Sequence, residues 1–444
     1  MQILPFCNGV SSYLRSSIIY FINSEVGTWV AMPKDYVTSM FDEGSRIYDT
    51  LTRNKIFSSR KIDADSVCVH RSRSVKPLLV KLITTGKCNL QCVYCFNPLS
   101  IRDKSMTPEI LRKSVDYVFS NPYAENGISL VIYGGEPLLE RELLYEAIKL
   151  IRSRETSFEV TLEIITNGTL LTRSDVEFFR EYETKIIISF NGLPNFQEKN
   201  RASADKVMQN IAMLEELNYM SHSNILCTVT REMSAFLYDI VIFFQEHGFN
   251  SVEFLPLRLL GQAEGREEIS SDAGSYIKSF IKIIDAIENG TISSLSVRSV
   301  LRMLMPLLTG QTIHGELGNR RCSAGRNSIV INYDGSITGC DMIPDEISPI
   351  IGNIWDGINN LAVLDKLILP TEYISPSCKK CCWFGFCRSG CPGASASDCG
   401  SCNTKHLFTC TVNKSIYPYL LERIVIGNGK LQEYFIRHTK RGKS

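Results

Sequence analysis

The chain has 444 residues, 48 basic against 47 acidic, and is 44% hydrophobic, enough for two or three domains with a sizeable core. Its net charge of +1 gives no global field toward nucleic acid or an anionic membrane. The apolar stretch Ile18–Ile22 is too short to span a bilayer, and the first residues lack the basic-then-apolar order of a secretory signal; no nucleic acid and no membrane is expected as a partner, and the expected location is cytoplasmic.

Residues 1–75 read as a small N-terminal α+β unit. Strands are expected at Ile18–Ile22 and Thr28–Ala31 around the turn Asn23–Gly27, with helical stretches near Lys34–Phe41 and Gly44–Arg53. The polar, basic segment His70–Pro77 reads as a solvated linker.

Strand and helix then alternate. Strands are expected at Leu79–Thr84, Ser129–Tyr133, Thr161–Thr166, Lys185–Phe190, Asn224–Thr230 and Ser251–Pro256. Between them lie amphipathic stretches: Thr107–Phe119, Glu140–Arg152, Ser174–Glu181, Asp205–Leu217 and Ser234–His247. In the first of these Thr107 can cap, Pro108 suits the first helical position, and Ile110, Leu111, Val115, Val118 and Phe119 form the apolar stripe. Nearly continuous apolar strands argue for a parallel sheet covered by helices. The expected fold class is α/β, a partial (β/α)6 TIM-type barrel over residues 78–260, with chemistry at the strand C-termini. Two helices follow in a bridge at 261–310, then a cysteine-rich domain at 311–425 with a helix from Lys414 to about Ile424, and a tail at 426–444.

Sixteen cysteines in a large chain, grouped in metal-like spacings, point to thiolate ligation rather than disulfides. Cys88, Cys92 and Cys95 form a CxxxCxxC frame just after the first barrel strand. Three thiolates can hold three corners of a [4Fe–4S] cube and leave one iron open to a small molecule, whereas a structural zinc closes its shell with a fourth ligand. Gly134-Gly135-Glu136-Pro137 follows the second strand; its glycines permit close backbone approach and Glu136 can accept from an ammonium group. Thr166 and Asn167, then Ser189 and Asn191, end the third and fourth strands, and Arg201 follows. Near the C-terminus stand Cys322, Cys340, Cys378, Cys381, Cys387, Cys391 and Cys410, with Asp341 directly after Cys340.

The CxxxCxxC frame with an aromatic, Tyr94, before its third cysteine, together with Gly134–Pro137, resembles the signature of the radical S-adenosylmethionine (SAM) enzymes. The resemblance implies a cluster at Cys88, Cys92 and Cys95 that binds SAM and delivers an electron into its sulfonium, giving a 5′-deoxyadenosyl radical. Gly134, Gly135, Glu136 and Pro137 would receive the SAM amino group. Thr166, Asn167, Ser189, Asn191 and Arg201 would contact ribose and carboxylate, and Tyr94 the adenine. The later seven-cysteine series resembles the SPASM domain, which implies two auxiliary clusters and so three [4Fe–4S] clusters in all. Cys378, Cys381, Cys387 and Cys410 would close one. Cys322, Cys340 and Cys391 would hold the other, whose fourth iron is open or closed by a ligand such as His314 or Glu316. Asp341 matches a candidate proton acceptor of the sulfatase-maturing relatives. Cys7, Cys68, Cys227, Cys382, Cys399 and Cys402 fall outside the pattern and read as packing or surface thiols.

Enzymes with this cluster set mostly modify peptides or protein side chains. The N-terminal stretch Ile3-Leu4-Pro5-Phe6 and Asn23–Trp29 resembles the leading region of maturases of His-Xaa-Ser peptide systems. The expected partners are a precursor peptide with its leader, held by strand addition to the N-terminal unit, and a one-electron reductant such as flavodoxin or ferredoxin. Two rival readings are a sulfatase maturase forming formylglycine and a zinc-stabilised binding protein.

Overall fold

The computed structural model describes residues 10–15, 17–24, 27–34, 46–54, 56, 77–97, 101–310, 322–343, 349–360, 362, 375–402 and 404–440. Residues 35–41 of the expected helix at Lys34–Phe41, most of the linker, and Cys7, Cys68, His314 and Glu316 lie outside the described residues.

The N-terminal unit is a three-stranded antiparallel sheet, β1 (Val10–Arg15), β2 (Ile18–Asn23) and β3 (Thr28–Pro33), followed by α1 (Arg46–Arg53). The first strand was not evident from the sequence. Phe21, Met32, Leu51 and Ile56 form a small core beneath the sheet, while Tyr20 and Ile22 on its other face join the main core. The unit is docked rather than detached. The Trp29 indole donates to the Leu307 carbonyl at 2.9 Å, and a Cβ on Gly385 would stand 2.6 Å from the Gly27 Cα.

The barrel strands are β4 (Leu78–Thr85), β5 (Ile128–Gly134), β6 (Val160–Thr166), β7 (Lys185–Ser189), β8 (Ser223–Val229) and β9 (Ser251–Pro256). They lie side by side in chain order and all pair in parallel. The covering helices are α2 (Pro108–Phe119), α3 (Arg141–Arg152), α4 (Arg173–Glu181), α5 (Pro194–Arg201), α6 (Ala204–Glu216) and α7 (Leu237–Glu246). The Thr107 hydroxyl accepts from the Ile110 N–H and Pro108 occupies the first turn, as the sequence predicts. Strand alternation sends Leu78, Val80 and Leu82 outward into the core shared with Leu111, Val115 and Val118. It sends Lys81, Ile83, Val131 and Tyr133 to the barrel interior, where Ile83 and Tyr133 meet Val330.

The sheet does not stop at six strands. After α8 (Ala273–Asn289), the short β10 (Ser296–Val297) pairs with β9, and α9 (Arg298–Thr309) follows. On the opposite edge β11 (Ser328–Ile331) lies parallel to β4, and β12 (Ser336–Thr338), β13 (Ile350–Asn353) and β14 (Gly357–Ile358) continue antiparallel, giving an 11-stranded sheet. The cysteine-rich region therefore grows out of the barrel sheet. It continues through α10 (Pro392–Cys399) to a long α11 (Leu407–Ile426). The expected tail contains a further helix, α12 (Lys430–Lys440), whose Tyr434 phenol donates to the Leu295 carbonyl at 2.8 Å. No helix among the described residues is long and apolar enough to cross a membrane.

Candidate functional site

The site is assembled at the C-terminal mouth of the parallel strands. The loop carrying Cys88, Cys92 and Cys95 leaves β4 and is clamped from several sides. The Gly135 N–H donates to the Thr85 carbonyl at 2.7 Å and the Glu136 N–H to the Lys87 carbonyl at 2.7 Å. From the other side the Gln262 N–H reaches the Cys95 carbonyl at 2.9 Å, and the Arg266 Nη1 reaches the Val93 carbonyl at 2.9 Å. The glycines after β5 are required by this clamp. A Cβ on Gly134 would stand 2.0 Å from the Thr85 oxygen, and one on Gly135 would stand 2.1 Å from the Lys87 oxygen. The close approach that the sequence predicts for a ligand is thus made to the cysteine loop itself.

Glu136 is fully buried. Its Oε1 accepts from the Leu138 N–H at 3.1 Å and the Thr166 hydroxyl at 2.8 Å, and its Oε2 accepts from the Asn167 N–H at 2.6 Å. Burial pushes this carboxyl above the ordinary range, against the pull of those donors and of Arg201. A carboxylate has about four lone-pair positions, so one remains on Oε2 for a cationic donor. Asn167 also donates to Asn89 Oδ1 at 2.9 Å and faces Cys88 Sγ at 3.9 Å, tying the end of β6 to the cysteine loop.

Tyr94, Asn191 and Arg201 form a second group. The Tyr94 phenol donates to Asn191 Oδ1 and accepts from Arg201 Nη1 at 3.4 Å. Burial, eased by the Arg201 charge, holds this phenol up at about 12. Asn191 spends its amide on the Thr228 carbonyl at 3.1 Å, so its side chain is committed to protein partners. Ser189 sits half-buried at the end of β7. The Arg201 guanidinium interacts electrostatically with Cys92 and Cys88, and its buried Nε has no partner among the described residues.

Several thiols are electrostatic neighbours of one another. Burial raises Cys88 and Cys92, and each feels Cys95 as a neighbour. Burial also raises Cys387 to about 12, with Cys381, Cys378 and Cys410 around it; these four line a cavity of about 30 Å³. Burial raises Cys340 too, and its neighbours include Cys391 and Cys322. Cys381 is drawn down to about 6 by a hydrogen bond from Cys382. Backbone N–H groups already point at ligand sulfurs, Leu90 at Cys88 (3.5 Å) and Met342 at Cys340 (3.3 Å), an arrangement typical of cluster ligands. Among the described residues no three His, Cys, Asp or Glu side chains converge tightly enough for one metal ion. Thiols with backbone N–H groups aimed at two of their sulfurs are the kind of donor set an iron–sulfur cluster takes.

Asp341 is the residue whose surroundings the sequence did not reveal. Lys81 reaches both its oxygens, at 2.7 and 2.8 Å, and the Tyr133 phenol donates to Oδ2. Burial favours the neutral acid, but Lys81 and Tyr133 outweigh it and hold the carboxyl below the ordinary range. A lysine inside the apolar strand Leu78–Thr85 was the available signal. Farther out, Asp398 accepts from His406 Nε2 at 2.7 Å and from the Leu259 N–H at 3.3 Å, joining the loop after β9 to the segment that carries Cys410.

Residues 82–232 match the family model described as the Radical SAM superfamily. The chain is 26% identical over 371 residues to the cysteine-type anaerobic sulfatase-maturating enzyme of Clostridium perfringens, covering 78% of this chain and 97% of that one. It is 24% identical over 439 residues to the radical SAM cyclopropyl synthase TigE of Paramaledivibacter caminithermalis, covering 91% and 84%. Among solved structures it resembles native anSMEcpe with bound AdoMet (TM-score 0.64, 25% identity, 78% of this chain and 98% of that one). In fold it also resembles Streptococcus suis SuiB bound to precursor peptide SuiA (TM-score 0.55, 13% identity, 91% and 99%).

Proposed function

We propose that this radical SAM enzyme, of SPASM-type maturase architecture, oxidatively modifies a ribosomally made peptide, forming a crosslink or a similar change. When bound, the first cluster and SAM supply a primary carbon radical able to take hydrogen from an unactivated C–H bond. The protein's own residues have five tasks. Glu136 receives the methionine ammonium at its remaining lone pair. Arg201, oriented by Tyr94, would offer its charge to the methionine carboxylate, while Thr166, Asn167 and Ser189 would contact the ribose. Apolar inward residues such as Ile83 and Val330 keep water from the radical. Asp341, kept ionised by Lys81 and Tyr133, takes the proton that the substrate sheds when it is oxidised. The thiol groups support two auxiliary clusters as acceptors of the substrate's electron, and a flavodoxin or ferredoxin is the reductant in this reading.

The observation that carries the peptide reading is coverage. TigE aligns with 91% of this chain, while nearly the whole C. perfringens sulfatase maturase accounts for only 78%. The outer edges of the β1–β3 sheet suit strand addition by an extended leader. The sulfatase-maturase reading keeps one specific support, the 97% coverage of that relative. Co-expression with short peptide genes lying beside this one, followed by peptide mass spectrometry, separates the two. Loss of two hydrogens with a new inter-residue bond is the expected result. A product aldehyde trapped by a hydrazide probe on a sulfatase peptide, with no change in any short peptide, would overturn it.

A further inference from the structure

The segment after β9 presses on the loop that carries Cys88, Cys92 and Cys95, and a carboxylate from the cysteine-rich region grips that segment. We propose that Asp398 and His406 are positioning residues for SAM binding: together they fix residues 257–263, and through them the cysteine loop, from the C-terminal side of the molecule. The inference rests on the reading that this cysteine loop binds SAM.

Residues 257–263 lie directly against the cysteine loop. Leu257 and Ala263 are buried with Cys92 and Tyr94 in one small cluster, and Cys95 packs against it. A Cβ on Gly261, whose φ is 56°, would stand 2.5 Å from the Cys95 oxygen. The Gln262 N–H donates to that same oxygen at 2.9 Å. Packing this close transmits displacement, so the cysteine loop moves if the segment moves. The segment is tied to the barrel at its start, where the Leu257 N–H reaches the Val229 carbonyl at 3.1 Å. Just beyond, the Leu259 N–H donates to Asp398 Oδ1 at 3.3 Å.

Asp398 stands in the last turn of α10 and is held from its far side. Its Oδ2 accepts from His406 Nε2 at 2.7 Å, and the His406 and Asp398 side chains are 5% and 14% exposed. Burial pushes the carboxyl up, but His406 and Ser397 outweigh it and hold it below the ordinary range. The imidazole is fixed at its other nitrogen as well. Nδ1 caps α11, accepting from the Thr409 N–H at 3.4 Å, with the Thr409 hydroxyl at 2.7 Å. A nitrogen that accepts carries no proton, so the proton sits on Nε2 and points at Asp398. The first turn of α11 thus sets the tautomer, the tautomer orients the carboxylate, and the carboxylate holds the segment after β9. A brace between α10 and α11 alone would need only the Oδ2 bond; here the other oxygen is turned toward the Leu259 N–H.

The two nitrogens of His406 can be replaced one at a time. His406→Asn puts an amide oxygen near Nδ1, so the cap survives, but its side chain is too short to reach Asp398. His406→Gln puts an amide nitrogen near Nε2, so the bond to Asp398 survives and the cap is lost. The test uses the full chain, oxygen-free and unreduced. In equilibrium dialysis, His406→Asn and Asp398→Ala should each weaken SAM binding by about fivefold or more. Both should also speed hydrogen–deuterium exchange across residues 257–263, a readout that needs neither SAM nor turnover. His406→Gln should do neither, while its thermal midpoint falls with the lost cap.

The reverse pattern, in which affinity holds in His406→Asn and drops in His406→Gln, would make His406 a helix cap and overturn the proposal. Parent-like affinity and exchange in both His406→Asn and Asp398→Ala would overturn it too. If the parent binds SAM and these variants are silent, only this proposal falls; if the parent binds none, the SAM reading falls with it.

Discussion

Replacing Glu136 with glutamine separates binding from folding. Oε1 accepts from Leu138 and Thr166, and Oε2 accepts from Asn167 and keeps one free position. An amide nitrogen at Oε2 would face the Asn167 N–H and could accept nothing from an ammonium. An amide nitrogen at Oε1 would face two donors at once. Either way the charge that an ammonium pairs with is gone. A hydrogen bond to a charged group contributes about 1.5–3 kcal/mol, so SAM affinity should fall by about 10- to 150-fold. The fold should suffer less. Burying a charge is itself unfavourable, as the raised carboxyl shows, and the neutral amide relieves that cost while losing one acceptor. Equilibrium dialysis of SAM against oxygen-free, unreduced enzyme reads the affinity, and thermal unfolding reads the fold. An affinity within about twofold of the parent would refute Glu136 as the ammonium acceptor.

Three other substitutions probe the same architecture. Gly135→Ala forces a Cβ to 2.1 Å from the Lys87 oxygen, so the cysteine loop must shift; iron at the first cluster should drop while auxiliary iron stays, and full iron content would count against the clamp. Lys81→Met strips the cation from a part-buried ion pair, the Lys81 side chain being 31% exposed and Asp341 7%; 5′-deoxyadenosine should still form while modified peptide falls at least tenfold, and an unchanged ratio of the two products would remove Asp341 from the late step. Asp175, fully buried, accepts from Arg141, Tyr145 and Thr172 and is held below its ordinary range: burial opposes ionisation, but these donors outweigh it. A depressed folded value contributes stability above the unfolded value, about 3.9, and loses it as pH falls through the folded one. Asp175→Asn should therefore cost about 3 kcal/mol at neutral pH, with the gap to the parent closing below about pH 4 in chemical denaturation; a gap constant with pH would contradict this.

The barrel was legible because each strand is a compact apolar run and each helix carries its own start signal, as at Thr107-Pro108. The Cys88, Cys92 and Cys95 frame stands out because its spacing is local, whereas the division of the later seven cysteines into two groups came from the family resemblance alone. The extension of the sheet was not. β11 is four residues long, too short for periodicity, and its pairing with β4 joins Leu79 to Ser328, a distance along the chain that no local pattern encodes. The long C-terminal helix was read as starting at Lys414 although it begins at Leu407, His406 capping the Thr409 N–H in a role that histidine seldom advertises. Asn191 read as a cofactor contact because polar residues after strands often are, yet its amide is spent on the Thr228 carbonyl. Lys81 sat in plain view within an apolar strand, but its partner Asp341 is 260 residues away.

The most direct trial of the account is the fate of SAM itself. Enzyme reconstituted with iron and sulfide in the absence of oxygen, given SAM and dithionite, should release 5′-deoxyadenosine detectable by liquid chromatography and mass spectrometry, and the Cys92→Ala protein should release none. Parent enzyme with a filled first cluster that leaves SAM intact, or a Cys92→Ala protein that cleaves it as fast as the parent, would contradict the role assigned to Cys88, Cys92 and Cys95.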